Sequence, residues 1–249
     1  MIKTRIGFFD SGIGGVTVLK ECIKLNPNFE YLYYSDSFNN PYGDKSREEL
    51  LEIVSKIVEY LISEECYVIV IACNTASAMC VEYLRRKYPS IWFVAIEPAV
   101  KCAYDNLEDG TLIMATKGTM DSERFRELYS KYHRDNFYLQ SCVGLANLIE
   151  CGDYKLVREY LKSNLGMYKD KVHSVVLGCT HYPLIKKEIV EVLGSVTFYD
   201  GSMGVAKQLK RIFVENDFIG NGKKNIIFID SSHDKVKENR FREILDDSN

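Results

Sequence analysis

An offset of 106 residues recurs along this chain and restricts what it can fold into. Ile69-Val70-Ile71-Ala72-Cys73-Asn74-Thr75 and Val175-Val176-Leu177-Gly178-Cys179-Thr180-His181 each read as a buried strand, a small residue, a cysteine and then amide or hydroxyl side chains. Their cysteines stand 106 positions apart. Gly12, after Phe8-Phe9-Asp10-Ser11, and Gly118, after Met114-Ala115-Thr116-Lys117, keep the same offset, as do the apolar runs that begin at Ile91 and Thr197. Two copies of one α/β unit facing each other satisfy the pattern, with one thiol from each copy. A ligand held between opposed thiols can lose a proton from one face of a carbon and gain one on the other.

Short apolar runs alternate with helical patterns, as in α/β chains with mainly parallel sheets. Strands are expected at 6–9, 31–34, 68–71, 91–95, 112–115, 137–139, 175–177, 196–199 and 226–229. Ser46 and Glu49 form a capping box ahead of Leu50, Leu51, Val54, Ile57, Val58 and Leu61, which recur at helical spacing. Asn26-Pro27-Asn28 and Pro89 end helices, and Pro183 opens a helical turn after the second thiol. The repeat divides the chain into two pseudo-symmetric lobes, each a mainly parallel sheet flanked by helices, with the active site in the cleft between them. Residues 1–97 plus 208–249 form the first lobe, with Cys73, and residues 98–207 the second, with Cys179. The strand at 226–229 and the helix after Ser232 have no counterpart in the repeat and are assigned to the first lobe.

Composition removes several classes of function. With 32 Lys+Arg against 35 Asp+Glu, a net charge of −3 offers no basic field for nucleic acid, so the expected partner is a small molecule. The longest hydrophobic run, 67–73, is far too short to span a bilayer, and the residues from Met1 lack a signal-peptide core. A cytoplasmic chain follows, whose eight cysteines, none in a Cys-x-x-Cys pair, are mostly free and buried. Oligomeric state is left open, a homodimer included.

Ligands of α/β sheets bind beyond the carboxyl ends of the strands, where Asp10-Ser11, Asn74-Thr75, Thr116 and Thr180-His181 all lie. Any one of these residues could simply cap the next helix. Four such ends aimed at one cleft argue for a ligand. Each thiol is expected at a helix N-terminus, where amides and the dipole favour thiolate and draw the pKa down towards working pH. The stretch Asp10-Ser11-Gly12-Ile13-Gly14-Gly15 has neither dinucleotide nor P-loop spacing, so its amides are assigned to the carboxylate of a small acid. Asp10 is costly to bury unpaired, and is read as accepting a proton from a thiol or ammonium, or as a helix cap. Cys179 and His181 are too few for a zinc site and too close for a cysteine-protease pair, so no metal is expected. His133, His173 and His233 are read as surface residues.

Taken with Pro41-Tyr42-Gly43 and Ile96-Glu97-Pro98, the segments at 9–15, 72–76 and 177–184 closely resemble the glutamate racemases, of the cofactor-independent aspartate/glutamate racemase family, from the first strand to about Asp200. The resemblance implies an enzyme without cofactor that supplies D-glutamate for peptidoglycan. It implies that Cys73 serves D-glutamate with help from Asp10, and that Cys179 serves L-glutamate with help from Glu150 and His181. Ser11, Pro41, Tyr42, Gly43, Asn74, Thr75, Thr116, Thr119 and Thr180 match its substrate-binding positions, joined by Asp10 and His181. Three departures bear on the pocket. The family's two prolines before Glu150 are replaced within the 142–150 segment, 37–40 lacks a basic residue, and Phe125 stands where Tyr is usual. With no extension before Met1, regulation by a peptidoglycan precursor is not expected. Competing readings are a racemase of aspartate or another amino acid, a one-thiol lyase, and a two-lobed binding protein without catalysis.

Overall fold

The computed structural model describes residues 2–3, 5–220, 222 and 225–247. Its strands are β1 (Ile2–Lys3), β2 (Arg5–Asp10), β3 (Glu30–Ser35), β4 (Cys66–Ile71), β5 (Trp92–Ala95), β6 (Thr111–Ala115), β7 (Phe137–Ser141), β8 (Ser174–Gly178), β9 (Thr197–Asp200), β10 (Phe218–Ile219) and β11 (Asn225–Asp230). Among the described residues they form a five-stranded sheet, β11-β3-β2-β4-β5, a four-stranded sheet, β7-β6-β8-β9, and the pair β1-β10, all parallel. Every expected strand is present. The two short strands β1 and β10 were beyond the reach of periodicity, since two residues carry no alternation. Met1 and Thr4, in the leader reading, lie outside the described residues.

Helices cover both faces of each large sheet, so its strands are buried on both sides and read as continuous apolar runs. Alternation within a run decides which core a side chain enters. Ile6, Phe8, Val68 and Val70 join one cluster, while Phe9, Ile69 and Ile71 join another on the opposite face. Leu112, Met114, Val175 and Leu177 oppose Ile113 and Val176 in the second sheet in the same way. Strand order repeats as well: β3-β2-β4-β5 corresponds to β7-β6-β8-β9, each pair of counterparts lying about 106 residues apart.

The Ser46 half of the capping box acts as expected, while the Glu49 carboxylate accepts Lys45 Nζ at 2.7 Å. Ser46 accepts the Glu49 amide at 3.1 Å and opens the helix Arg47–Ser63, whose Leu50, Val54, Ile57, Val58 and Leu61 are buried. Asn26 and Tyr88 stand as C-caps just ahead of Pro27 and Pro89. After β9 the chain returns to the first sheet. The helix Ser202–Glu215 buries Val205, Ala206, Leu209, Ile212 and Phe213 in a core shared with β2 and β4. The expected boundary between 207 and 208 therefore falls inside a helix that packs as one piece on the first sheet. Strand β11 then pairs with β3, and the final helix, Lys235–Asp246, anchors Phe241 in the same core. No helix among the described residues is long and apolar enough to cross a membrane.

Candidate active site

The strands β2, β4, β6 and β8 all end at one cleft, which receives both cysteines. Cys73 follows β4 as the N-cap residue of the helix Asn74–Lys87. Cys179 follows β8, but the residues after it form the 3-10 turn Tyr182–Ile185, with Pro183 in its first positions, before the α-helix Lys186–Leu193 begins. The expected helix N-terminus thus holds for Cys73 and not for Cys179. Both thiols are buried, at 5% and 7% exposure, and both line the same narrow cavity.

Of the residues read from the sequence, Ser11, Pro41, Tyr42, Gly43, Asn74, Thr75, Thr116, Thr180 and His181 line that cavity with the thiols. Asp10, Thr119 and Glu150 stand behind its wall and reach it through other side chains. Thr116 bonds both Thr75 and Thr119, with 2.9 Å between hydroxyl oxygens in each case, which ties the two lobes together across the cleft floor. Tyr42 donates its hydroxyl to Asp36 at 2.6 Å, and Asn39 holds the same carboxylate. Asn74 is buried, and among the described residues neither polar atom of its amide has a partner.

Behind Cys179 lies a relay. The Cys179 sulfur is 3.7 Å from Nδ1 of His181, whose Nε2 is 2.6 Å from Oε2 of Glu150. The same carboxylate oxygen accepts the Ile13 amide at 3.1 Å, and Lys237 Nζ lies 3.9 Å from the other oxygen. Burial pushes the Glu150 carboxyl up, yet His181, the Ile13 amide and Lys237 outweigh it and hold the group below the usual carboxylate range. Burial would lower His181, but the neighbouring thiol and carboxylate raise it well above the usual imidazole value. Both shifts favour the ionised form of the pair.

Behind Cys73 the electrostatics run the other way. Burial pushes that thiol well up and Asp10 adds to the rise, while the Ala76 and Thr75 amides pull it down without prevailing. The expected lowering by the helix N-terminus is present as a contribution and loses to desolvation. Asp10, fully buried, is itself raised by burial, with His181 and the Gly15 amide opposing. Its Oδ2 accepts Gly15 N–H at 2.7 Å and the Thr180 hydroxyl at 3.2 Å, while Oδ1 has no partner among the described residues.

The glycine loop differs from its expected role. Ile13 N–H serves Glu150 and Gly15 N–H serves Asp10, so these amides hold the protein's own carboxylates. Close packing explains the glycines: a Cβ on Gly12 would sit 2.5 Å from Glu150 Oε2, and one on Gly14 would sit 2.7 Å from His181 Nδ1. Residues that sequence reasoning missed include Asp36, Asn147, Lys117 and a third thiol on the cavity wall, Cys142, pushed up to about 12 by burial. Lys237 was also missed. Lys237 carries no local signal because its partner, Glu150, lies in a distant segment, whereas Asp36 is held by its near neighbours Asn39 and Tyr42. His133, His173 and His233 are exposed, as expected.

Three comparisons place this geometry among known proteins. A family model described as Asp/Glu/Hydantoin racemase matches residues 25–208. A glutamate racemase of Clostridium perfringens is 42% identical over 239 residues, 92% of each chain. Among solved structures, the glutamate racemase of Francisella tularensis in complex with D-glutamate superposes with a TM-score of 0.82 at 28% identity, covering 98% of this chain and 94% of that one. The Escherichia coli glutamate racemase, solved with L-glutamate and an activator, gives 0.81 at 26% identity, covering 97% and 94%.

Proposed function

The chain belongs to the Asp/Glu/hydantoin racemase family, and on that premise we propose that it is a glutamate racemase, interconverting L- and D-glutamate and so supplying the D-enantiomer for peptidoglycan. The observation that carries the reading is the shared cavity, into which each lobe sends one thiol. From L-glutamate, the Cys179 thiolate takes the α-proton. The C–H bond breaks, an S–H bond forms, and the electron pair passes into the α-carboxylate. Cys73 then delivers its proton to the opposite face and is left as the thiolate. From D-glutamate the same steps run in reverse.

Each thiol has its own assistance. His181 is an imidazolium held by Glu150, and steadies negative charge on the Cys179 sulfur 3.7 Å away. Asp10, whose carboxyl is raised by burial and whose charge acts on the Cys73 thiol, is assigned the proton exchange on that side. The carbanion-like transition state is stabilised by preorganised donors, in which we include Ser11, Asn74, Thr75, Thr116 and Thr180 from the cavity wall and Thr119 behind it. Asn74 is well suited, since its buried amide finds no partner among the described residues until a substrate supplies one. The relatives solved with D- and L-glutamate support that substrate. Free cysteines throughout the described residues support a reducing, cytoplasmic compartment.

Purified, reduced protein should change the optical rotation of either pure enantiomer of glutamate to zero without added cofactor. Racemisation of aspartate in preference to glutamate, or of neither, would overturn the assignment.

A further inference from the structure

The relay behind Cys179 is completed from the far end of the chain, beyond the residues that the family model matches. The last helix, Lys235–Asp246, is fixed to the first sheet by Phe241, whose ring stacks on Phe228 at 4.1 Å and tilts against Tyr33 at 5.1 Å. Tyr33 in turn donates to the carbonyl of Gly12, in the loop that touches Glu150. One residue before Phe241, Arg240 reaches across to the second lobe. Its guanidinium donates to the carbonyls of Glu150 and of Ile149, the latter at 2.7 Å, and to Tyr154 Oη at 3.3 Å. These carbonyls end the short helix Leu145–Cys151, where helical partners run out. One turn earlier, Lys237 brings its ammonium to 3.9 Å from Glu150 Oε1.

We propose that Arg240 and Lys237 are positioning residues for the Cys179 half of the reaction: Arg240 clamps the backbone that carries Glu150, and Lys237 pins its carboxylate, so that His181 stays aimed at the sulfur. This rests on the reading of Cys179 as the base for L-glutamate. The groups facing Glu150 are His181, the Ile13 amide and Lys237, with Asp10 close enough to act through its charge. Removing either cation therefore loosens one of a few restraints and leaves the thiol intact. The 142–150 segment that leads to Glu150 contains no proline and has a glycine at 144, so little in its own sequence stiffens it.

The test uses the full chain with Lys237→Met, Arg240→Gln and Arg240→Lys. Because enantiomers are equally stable, kcat/KM must fall equally in both directions, by about tenfold for the first two variants, with Arg240→Lys recovering most of the loss. The deciding measurement is the primary isotope effect on kcat/KM with α-deuterated L- and D-glutamate. A weakened Cys179 step becomes more rate-limiting, so the effect should rise with deuterated L-glutamate and shrink with deuterated D-glutamate. A merely structural role slows both steps and leaves both isotope effects as in the parent, which would overturn the proposal, as would undiminished kcat/KM. A rise with the D-enantiomer alone would keep the positioning role and overturn the assignment of Cys179 to L-glutamate. Should Arg240→Gln fail to fold, Lys237→Met, at a partly exposed amine on the surface, carries the same measurement.

Discussion

The two thiols occupy equivalent strand ends and live in unlike surroundings. Position 75 is a threonine that joins Thr116 in a hydroxyl network, while 106 residues on the same place is His181, paired with Glu150. Asp10 is matched by Thr116. The Cys179 side thus holds a His–carboxylate pair whose shifts favour ionisation, and the Cys73 side a buried thiol and a buried carboxyl, both raised by burial. Duplication of a backbone preserves where a side chain points, and the chemistry on the two faces diverges freely. A reaction that starts from either of two mirror-image substrates needs opposed bases, but not identical ones.

Replacing the sulfurs tests the comparison most severely. Cys73→Ser and Cys179→Ser should each lower racemisation by at least about 10³-fold, while elimination from β-chloroalanine survives with opposite enantiomer preference in the two variants. The same preference in both would collapse the distinction between the two sides. Next, His181→Asn or Glu150→Gln should reduce racemisation about 100-fold and reduce elimination from the L-enantiomer more than from the D-enantiomer. Equal loss on both enantiomers would show the relay to be shared.

Protonation gives a third test. Because the Cys73 thiol is raised, its thiolate fraction is small at neutral pH and grows as pH rises, by about tenfold per unit below the folded pKa. Alkylation of Cys73 by iodoacetamide, followed by mass spectrometry, should therefore accelerate steadily through the alkaline range. A rate for Cys73 that is flat from pH 7 to 9 would mean that helix amides, not burial, govern that sulfur. The smallest effect concerns stability: Gly12→Ala forces a methyl against a carboxylate tied by His181 and Ile13, and should cost about 1–3 kcal/mol. Thermal melting measures it, and the loss should vanish when Glu150 is also shortened to Ala.

Much of this could be read from the residues alone, because the features are local. Strand runs such as 68–71 and 175–177, the Ser46 cap and the cysteine after each strand all carry their signal within a few positions. The Cys73 thiol was misjudged because its helix N-terminus is visible in sequence and its desolvation is not. The glycine loop was assigned to a substrate carboxylate because glycine signals close approach without naming what approaches, here Glu150 and His181. Lys237 and Arg240 gave no sign at all, since nothing within their own helix distinguishes them from solvated basic residues.

The return of the chain to its first sheet also dictates an order of assembly during synthesis. Residues from β6 to β9 emerge in one unbroken stretch and can form the second sheet as soon as they leave the ribosome. The first sheet is in the opposite position: its opening strands are made before the second sheet, yet β3 keeps one unpaired edge until β11 arrives, after the whole of the second sheet. The half of the molecule that starts first must finish last. A messenger truncated before β11 would therefore release a chain whose second sheet is complete and whose first exposes the apolar strand β3 at its edge, a product for chaperones and proteases to remove.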